Sequence, residues 1–593
     1  MTMKPILLFC AACLAGWCAA CDGTAPAAPE SRLDWSEPAE DPRPADPASW
    51  AGVEGAHASF GSIDCRYPRS APFAEAPAER TKIAGWRGER RSAQLVVWSA
   101  DTLPGLRCRV GKFVAADGHR LPPIGRARFV KYVLSDDFLP EQPCGARPEG
   151  NPAHLEPDLL SEEPSVVLAP RTARPVWITV EIPSDARPGD YGATVLLEAD
   201  NGFRKELTLE LEVIDRLLPP PAEWEYHLDL WQHPSVVADI EGAPVWSDEH
   251  FRLLEPTMRL LAAAGQKVIT ATLNKDPWNC QTEYPYADMI VWTRLADGSW
   301  DYDFTHFDRW VEFMMGLGID KAINCYSLLP WNCELHYTDD VSGEQVTVSA
   351  PPSAPEFREV WAPFLAAFRD HLREKGWLAI TRIAMDERAP EEMDAAVTLL
   401  AETAPELGIA LADNHFSYRR YPQIADMCVG IFADMDRDDI VQRRSEGKVS
   451  TYYVCCSSGF PNTYTSSDPL EAVYLSWFAL ARGYDGFLRW SYNAWTADPI
   501  RDSRFRTWAA GDTYIVYPEG RSSIRFERLV EGIQDWEKVT RLRRELTQRD
   551  TPEARERLQR LDAAVARFGE QLPFEGWQEE LEATKRLVDD LAR

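Results

Sequence analysis

Two neighbouring carboxylates, Asp386 and Glu387, close the apolar run Ala379-Ile380-Thr381-Arg382-Ile383-Ala384-Met385. A strand that ends on two acids presents them at the rim of a sheet, where carboxylates transfer protons and orient reacting groups. Successive side chains of a strand point to opposite faces, so the pair is not expected as two equivalent walls flanking one bond. The expected division is one proton donor and one residue that steers another group. The same dipeptide also suits the start of a helix near Pro390 and Glu391, where the helix dipole favours negative charge.

Other predicted strand ends carry rings and amides. They are Trp231 and His233, Asn324 and Tyr326 with Trp331 beyond, Asn414 and His415, Tyr453, and then Trp490, Tyr492, Asn493 and Trp495. Aromatic rings stack on the apolar face of a sugar and amides meet its hydroxyls, so these residues at one face describe a carbohydrate site. The 22 Trp favour such a ring-lined cleft. No GxSxG elbow, HExxH pair, Gly-rich dinucleotide loop or CxxC spacing occurs in the body of the chain, so neither metal nor cofactor is expected. With 63 Lys+Arg against 93 Asp+Glu, the net charge of −30 argues against a nucleic-acid partner.

The elements that must position these residues are legible as rhythm. Residues 51–218 read as a β-sandwich: Ser92–Trp98, Val176–Ile182 and Glu206–Val213 are strand-like, with the turn Pro188-Gly189-Asp190-Tyr191-Gly192 between the last two. Leu218-Pro219-Pro220-Pro221 ends that stretch. Residues 222–520 alternate strand, loop and helix, with strands expected near 226–231, 267–271, 322–327, 378–385, 409–414, 428–432, 449–454 and 486–492. Eight such repeats fit a central (β/α)8 TIM-like barrel, whose chemistry belongs at the C-terminal ends of the strands. Residues 521–593 are charged and helical, a predicted C-terminal helical appendix packed on the barrel.

Residues 1–20 read as a signal peptide, with Lys4 ahead of the apolar run Ile6–Ala20. Small residues before Cys21 resemble a bacterial lipobox, with Cys21 as the lipidated residue and residues 21–50 as a tether. The expectation is an exported lipoprotein at the cell envelope, touching membrane only through its lipid. Nine Cys follow the leader, and the sequence assigns no pairing among them.

The stretches Phe487–Asn493, Gly511-Asp512, Tyr517-Pro518, Arg521–Arg525 and Arg528–Glu537, together with the sandwich pattern Val176–Tyr191, resemble glycoside hydrolase family 123 and the wider group called domain of unknown function 4091. The resemblance covers most of the chain after the tether. It implies an exo-acting β-N-acetylgalactosaminidase with a β-sandwich, a barrel and an Asp-Glu pair, here Asp386-Glu387. Where the family usually reads Asp-Glu-Pro, this chain reads Asp-Glu-Arg-Ala-Pro. The implied mechanism is substrate-assisted: Glu387 protonates the leaving oxygen, the sugar's own acetamide attacks the anomeric carbon, and Asp386 orients the acetamide N–H. To keep a proton near neutral pH, Glu387 is expected to be buried against rings. The rival readings are a glycosidase of the same architecture with another sugar specificity, and a non-catalytic glycan-binding lipoprotein.

Overall fold

The computed structural model describes residues 31–148, 150–570 and 573–593. Residues Ser36–Arg593 form one compact unit. Residues 1–20, expected as a signal peptide, and Cys21 lie outside the described residues. Residues 36–50, expected as tether, are instead folded against the sandwich. Glu37 forms a two-pronged ion pair with Arg174, both contacts at 2.7 Å, and Trp50 is buried with its indole N–H on the Ser70 carbonyl. Their anchors lie far along the chain, which local composition does not reveal.

Two sheets form the sandwich. One holds Ala56–Gly61, Arg90–Ser99, Thr172–Glu181, Gly125–Asp136 and Ala153–Leu160 in that spatial order; the other is built around Arg80–Arg87, Arg204–Leu217, Gly189–Glu198 and Leu103–Val110. Alternation does the sorting. Leu207, Leu209 and Leu211 point into the core while Glu206, Glu210 and Glu212 face outward.

Eight parallel strands follow: β1 (His227–Leu230), β2 (Val268–Thr272), β3 (Ala322–Tyr326), β4 (Thr381–Asp386), β5 (Gly408–Asp413), β6 (Asp426–Gly430), β7 (Val449–Tyr453) and β8 (Gly486–Arg489). They hydrogen-bond in the order β1-β8-β7-β6-β5-β4-β3-β2 and curl into a nearly closed barrel. Each expected strand falls on one of them. At the β1–β2 seam the backbone makes a single bridge, Leu228 to Gln266. Two glutamines complete it: the Thr270 N–H donates to Gln232 Oε1 at 2.8 Å and the Leu230 N–H to Gln266 Oε1 at 3.0 Å. Side-chain amides thus satisfy backbone groups that a four-residue strand leaves unpaired.

The helix Pro469–Arg482 shows how the outer layer is punctuated. Asp468 accepts from the Leu470 N–H, Glu471 reaches back to the Asp468 N–H, proline opens the helix and Gly483 closes it at φ 87°. Loops after β2 and β3 contribute a small sheet of four strands that the sequence reading did not foresee, spanning Val291–Arg294, Trp300–Asp303, Glu334–Asp339 and Gln345–Ser349.

The C-terminal helices span Ile524–Arg549, Pro552–Ala566 and Trp577–Ala592. The first is not an appendix. It runs between sandwich and barrel and is buried from Ile524 to Val539. Its charges are matched across the sandwich boundary: Arg525 with Asp158 at 2.9 Å, Glu527 with Arg128 at 3.2 Å and Lys538 with Glu89 at 3.3 Å. Gln534 exchanges two 2.8 Å hydrogen bonds with the backbone of Arg90. On the barrel side a Cβ at Gly532 would lie 2.8 Å from the Val473 carbonyl, so only glycine permits this approach. Its charge reads as a solvated surface in sequence because the sandwich residues that pair with Arg525, Glu527 and Lys538 lie far away along the chain.

Candidate active site

Asp386 is the last residue of β4, paired in register with Ala412 of β5. Glu387 extends the ladder by one hydrogen bond, its N–H on the Ala412 carbonyl at 2.8 Å, and then breaks it with φ at 23°. That left-handed turn is costly for a residue with a Cβ. It cancels the strand alternation, so both carboxylates line one pocket of about 160 Å³ at the C-terminal end of the barrel. Trp231, Trp278, Trp331, Trp490 and Trp508 supply its rings, and Ala412 and Leu488 also line it.

Asp386 is buried and held from one side. The indole N–H groups of Trp278 and Trp331 both donate to its Oδ2, at 3.2 and 2.9 Å. Its other oxygen, Oδ1, is buried with no partner among the described residues. Burial pushes this carboxyl up to about 6; the two indole hydrogen bonds and the positive charge of Arg388 pull the other way. Arg388 lies over the Trp331 ring, 4.9 Å from its centroid. Glu387 is exposed, contrary to the expected burial against rings, because the turn at its own backbone swings it to the rim. Tyr453 donates its hydroxyl to Glu387 Oε1. Burial therefore acts on Asp386 rather than on Glu387.

Of the expected ring and amide residues, Trp231, Trp331, Tyr453 and Trp490 line this pocket. Tyr326 stands behind it, 4.5 Å from Trp231 and 5.2 Å from Trp278 between ring centroids. Asn324 is turned inside the barrel toward Asp229 and Asp426. His233 is in the core: its Nε2 meets the Tyr284 carbonyl at 2.9 Å, it stacks on Tyr286, and burial lowers it to about 4. Asn493 binds the backbone of His233 in both directions, Tyr492 donates to the Thr257 carbonyl and Trp495 to the Val516 carbonyl. These four are packing residues, each tied to backbone groups of a neighbouring segment rather than facing the pocket. Asn414 and His415 are exposed on the loop after β5, His415 resting on Asp413 at 3.0 Å.

Sequence reasoning missed Trp278, Trp508, Gln281 and Asp512, all at the pocket wall. A signal existed for the first. The tetrapeptide Pro-Trp-Asn-Cys occurs twice, at 277–280 and 330–333, and both copies present their Trp to Asp386. The copies also pair directly, through the Trp331 N–H on the Pro277 carbonyl at 2.9 Å and Asn332 on Asn279 at 3.2 Å. Asp512 had no such signal; it is buried beside Arg489 at 3.5 Å with Oδ2 unpartnered among the described residues. A disulfide, Cys144–Cys456, ties a sandwich loop to the pocket wall.

The chain matches the model of the glycoside hydrolase 123 catalytic domain over residues 231–542 and that of the glycoside hydrolase 123 N-terminal domain over residues 60–199. A search of curated proteins by sequence found no match. Among solved structures, a family 123 glycoside hydrolase from Clostridium perfringens, studied for glycolipid glycan hydrolysis, superposes with a TM-score of 0.80 at 23% identity, covering 91% of this chain and 97% of that one. A family 39 glycoside hydrolase from Bacteroides cellulosilyticus is far less similar, with a TM-score of 0.31 at 11% identity over 72% of this chain and 80% of that one. Because the catalytic-domain model alone spans more than half the chain and includes β4 with both acids, this protein belongs to glycoside hydrolase family 123 and is a glycosidase.

Proposed function

We propose that the protein is an exo-acting, retaining glycosidase that removes terminal β-linked N-acetylgalactosamine, using the substrate's own acetamide as nucleophile. The observation that carries this reading is the asymmetry of Asp386. Two indoles hold Oδ2 while Oδ1 is left without a partner. An acetamide N–H is the donor that such an acceptor lacks, and binding it turns the amide oxygen toward the anomeric carbon.

In the first step the acetamide oxygen forms a bond to the anomeric carbon as the glycosidic bond breaks. Glu387 gives its proton to the departing oxygen. The product is an oxazolinium ion, whose positive charge ionised Asp386 stabilises through the N–H. In the second step Glu387, now a carboxylate, takes a proton from water while the water oxygen attacks the same carbon. The ring opens with net retention. Two inversions at one carbon require no enzymic nucleophile, which suits a pair of acids placed next to each other in sequence.

The five indole rings suit a pyranose face, and the unpartnered Oδ2 of Asp512 provides an acceptor for a sugar hydroxyl. The Clostridium relative makes glycolipid-type glycans the first substrates to try. Export as a lipoprotein modified at Cys21 belongs to the same proposal. It is supported by the leader sequence and by the Cys144–Cys456 disulfide, a bond that persists in oxidising compartments.

The decisive experiment compares aryl β-N-acetylgalactosaminide, β-N-acetylglucosaminide and β-galactoside hydrolysis by the wild type, Glu387→Gln and Asp386→Asn. The proposal requires a preference for the first, a loss of roughly 10²–10⁴-fold in Glu387→Gln on poor leaving groups, and equal or greater damage from Asp386→Asn on acetamido sugars. Efficient cleavage of the galactoside, or full activity of Asp386→Asn, would overturn it. Membrane fractionation of wild type and Cys21→Ser tests the anchor; identical distribution refutes it.

A further inference from the structure

Trp231 follows β1 directly and continues its ladder by one residue, its N–H donating to the Arg489 carbonyl at 3.1 Å. Side chains two apart on a strand share a face, so Asp229 lies on the same inward face, one layer beneath the ring. Asp229 does not border the pocket and is buried among inward residues of other strands, Asn324 of β3, Arg382 of β4 and Asp426 of β6. Arg382 is committed to Asp426, with its Nη1 2.8 Å from Oδ2, and His227 approaches the same oxygen at 3.5 Å. Among the described residues Asp229 forms no ion pair, and its Oδ1 is buried without a partner. Burial and the negative charge of Asp426 push its carboxyl well above the ordinary value, against the pull of Arg382. Asp229 is thus a neutral acid at neutral pH, donor and acceptor in one group. The ring above it has a complementary need. Trp231 packs 4.5 Å from Tyr326 and 5.1 Å from Trp278 between centroids, and its indole N–H is buried without a close partner among the described residues. That N–H is directed at Asp229.

We propose that Asp229 is a positioning residue, which fixes the rotamer of Trp231 through its indole N–H and so sets the shape of the pocket that takes the terminal sugar. The inference rests on the reading of this pocket as the sugar site. Ring stacking alone does not choose between an indole and the same indole flipped about its side-chain bond; a partner for the polar edge does. In a space of about 160 Å³ the choice matters, because a flipped indole carries its six-membered ring into volume that a pyranose would fill. Contact with Trp231 is made by the sugar both before and during reaction, so disturbing it weakens binding more than turnover.

The test is a double-mutant cycle of Asp229→Leu and Trp231→Phe, with Asp229→Asn as the conservative variant and an aryl β-N-acetylgalactosaminide as substrate. Asp229→Leu raises KM by about fivefold or more and changes kcat by less than about threefold. Asp229→Asn, a neutral group with the same acceptor, keeps KM within about threefold of wild type. In Trp231→Phe, which lacks the donor, adding Asp229→Leu changes KM by less than about twofold. Equal damage from Leu and Asn, or the same KM effect of Asp229→Leu with either residue at 231, overturns the proposal. Should Asp229→Leu not fold, Asp229→Ala takes its place in the cycle. If neither folds, Trp231→Phe decides: KM raised about fivefold or more supports the role of the indole N–H, and an unchanged KM refutes it. Should wild type cleave nothing, the hydrolytic reading fails separately, and calorimetry with N-acetylgalactosamine replaces KM by Kd in the same cycle. Additive effects, or no binding to wild type, then refute the inference.

Discussion

Trp278 and Trp331 donate their indole N–H groups to one and the same oxygen, Oδ2 of Asp386. They come from loops after different barrel strands, each in a copy of Pro-Trp-Asn-Cys, and the copies brace each other. The clamp fixes the carboxylate plane and leaves Oδ1 without a partner among the described residues. Hydrogen bonds to a charged group contribute about 1.5–3 kcal/mol each. Trp278→Phe and Trp331→Phe keep the rings but remove the donors, so each lowers kcat/KM on an acetamido sugar by about 10- to 100-fold. Steady-state kinetics checks this, and an effect confined to non-acetamido sugars would refute the clamp.

In the proposed mechanism Asp386 acts in its ionised form, balancing the positive charge of the oxazolinium, and burial places its carboxyl at about 6. Activity therefore rises as pH increases through about 6 and falls below it. The stability linkage has the opposite direction. The folded value lies above the ordinary value of 3.8, so ionisation destabilises the fold by about 3 kcal/mol at pH 8. That penalty disappears as pH falls through 6 toward 4. Asp386→Asn is accordingly expected to be more resistant to denaturant than wild type at pH 8 and equal to it near pH 4, while losing activity at both.

Arg388 follows the acidic pair directly and sits over Trp331. Its positive charge lowers the Asp386 carboxyl, against the effect of burial. Arg388→Met preserves the apolar stem and removes the charge. The acid limb of the kcat/KM profile then moves above 6, whereas Arg388→Lys holds it in place. A profile that does not move in Arg388→Met would show that the side chain only packs.

The Cys144–Cys456 bridge closes a separation of 312 residues and fastens the pocket wall to the sandwich. Cross-links of this kind typically stabilise by about 2–4 kcal/mol. Cys144→Ser melts several degrees below wild type, and a reducing agent lowers the wild-type melting temperature but not that of the variant. Thermal denaturation with and without reductant measures both.

Element types were legible in the sequence because they depend on chain neighbours. Alternation marks Arg204–Leu217 as a half-buried strand, apolar runs mark the eight barrel strands, and Asp-Pro-x-Glu followed by glycine marks the helix Pro469–Arg482. Asp386 and Glu387 were legible for the same reason, as acids closing a strand. Which side chains share the pocket with them was legible only in part. Trp231, Trp331, Tyr453 and Trp490 were expected there; Trp278 arrives on a long loop, and His233, Tyr492, Asn493 and Trp495 turn away into backbone hydrogen bonds, although all four stand beside predicted strand ends.

The order and periodicity of residues thus specified a sandwich followed by alternating strands and helices, with two adjacent acids at the fourth barrel strand. Tertiary structure alone decided that the acids share one pocket, that burial falls on Asp386 and exposure on Glu387, and that Ile524–Arg549 runs buried between sandwich and barrel. The reason is range: periodicity is written by residues a few positions apart, whereas a carboxylate's environment is set by loops and helices that meet it only after the chain has closed on itself.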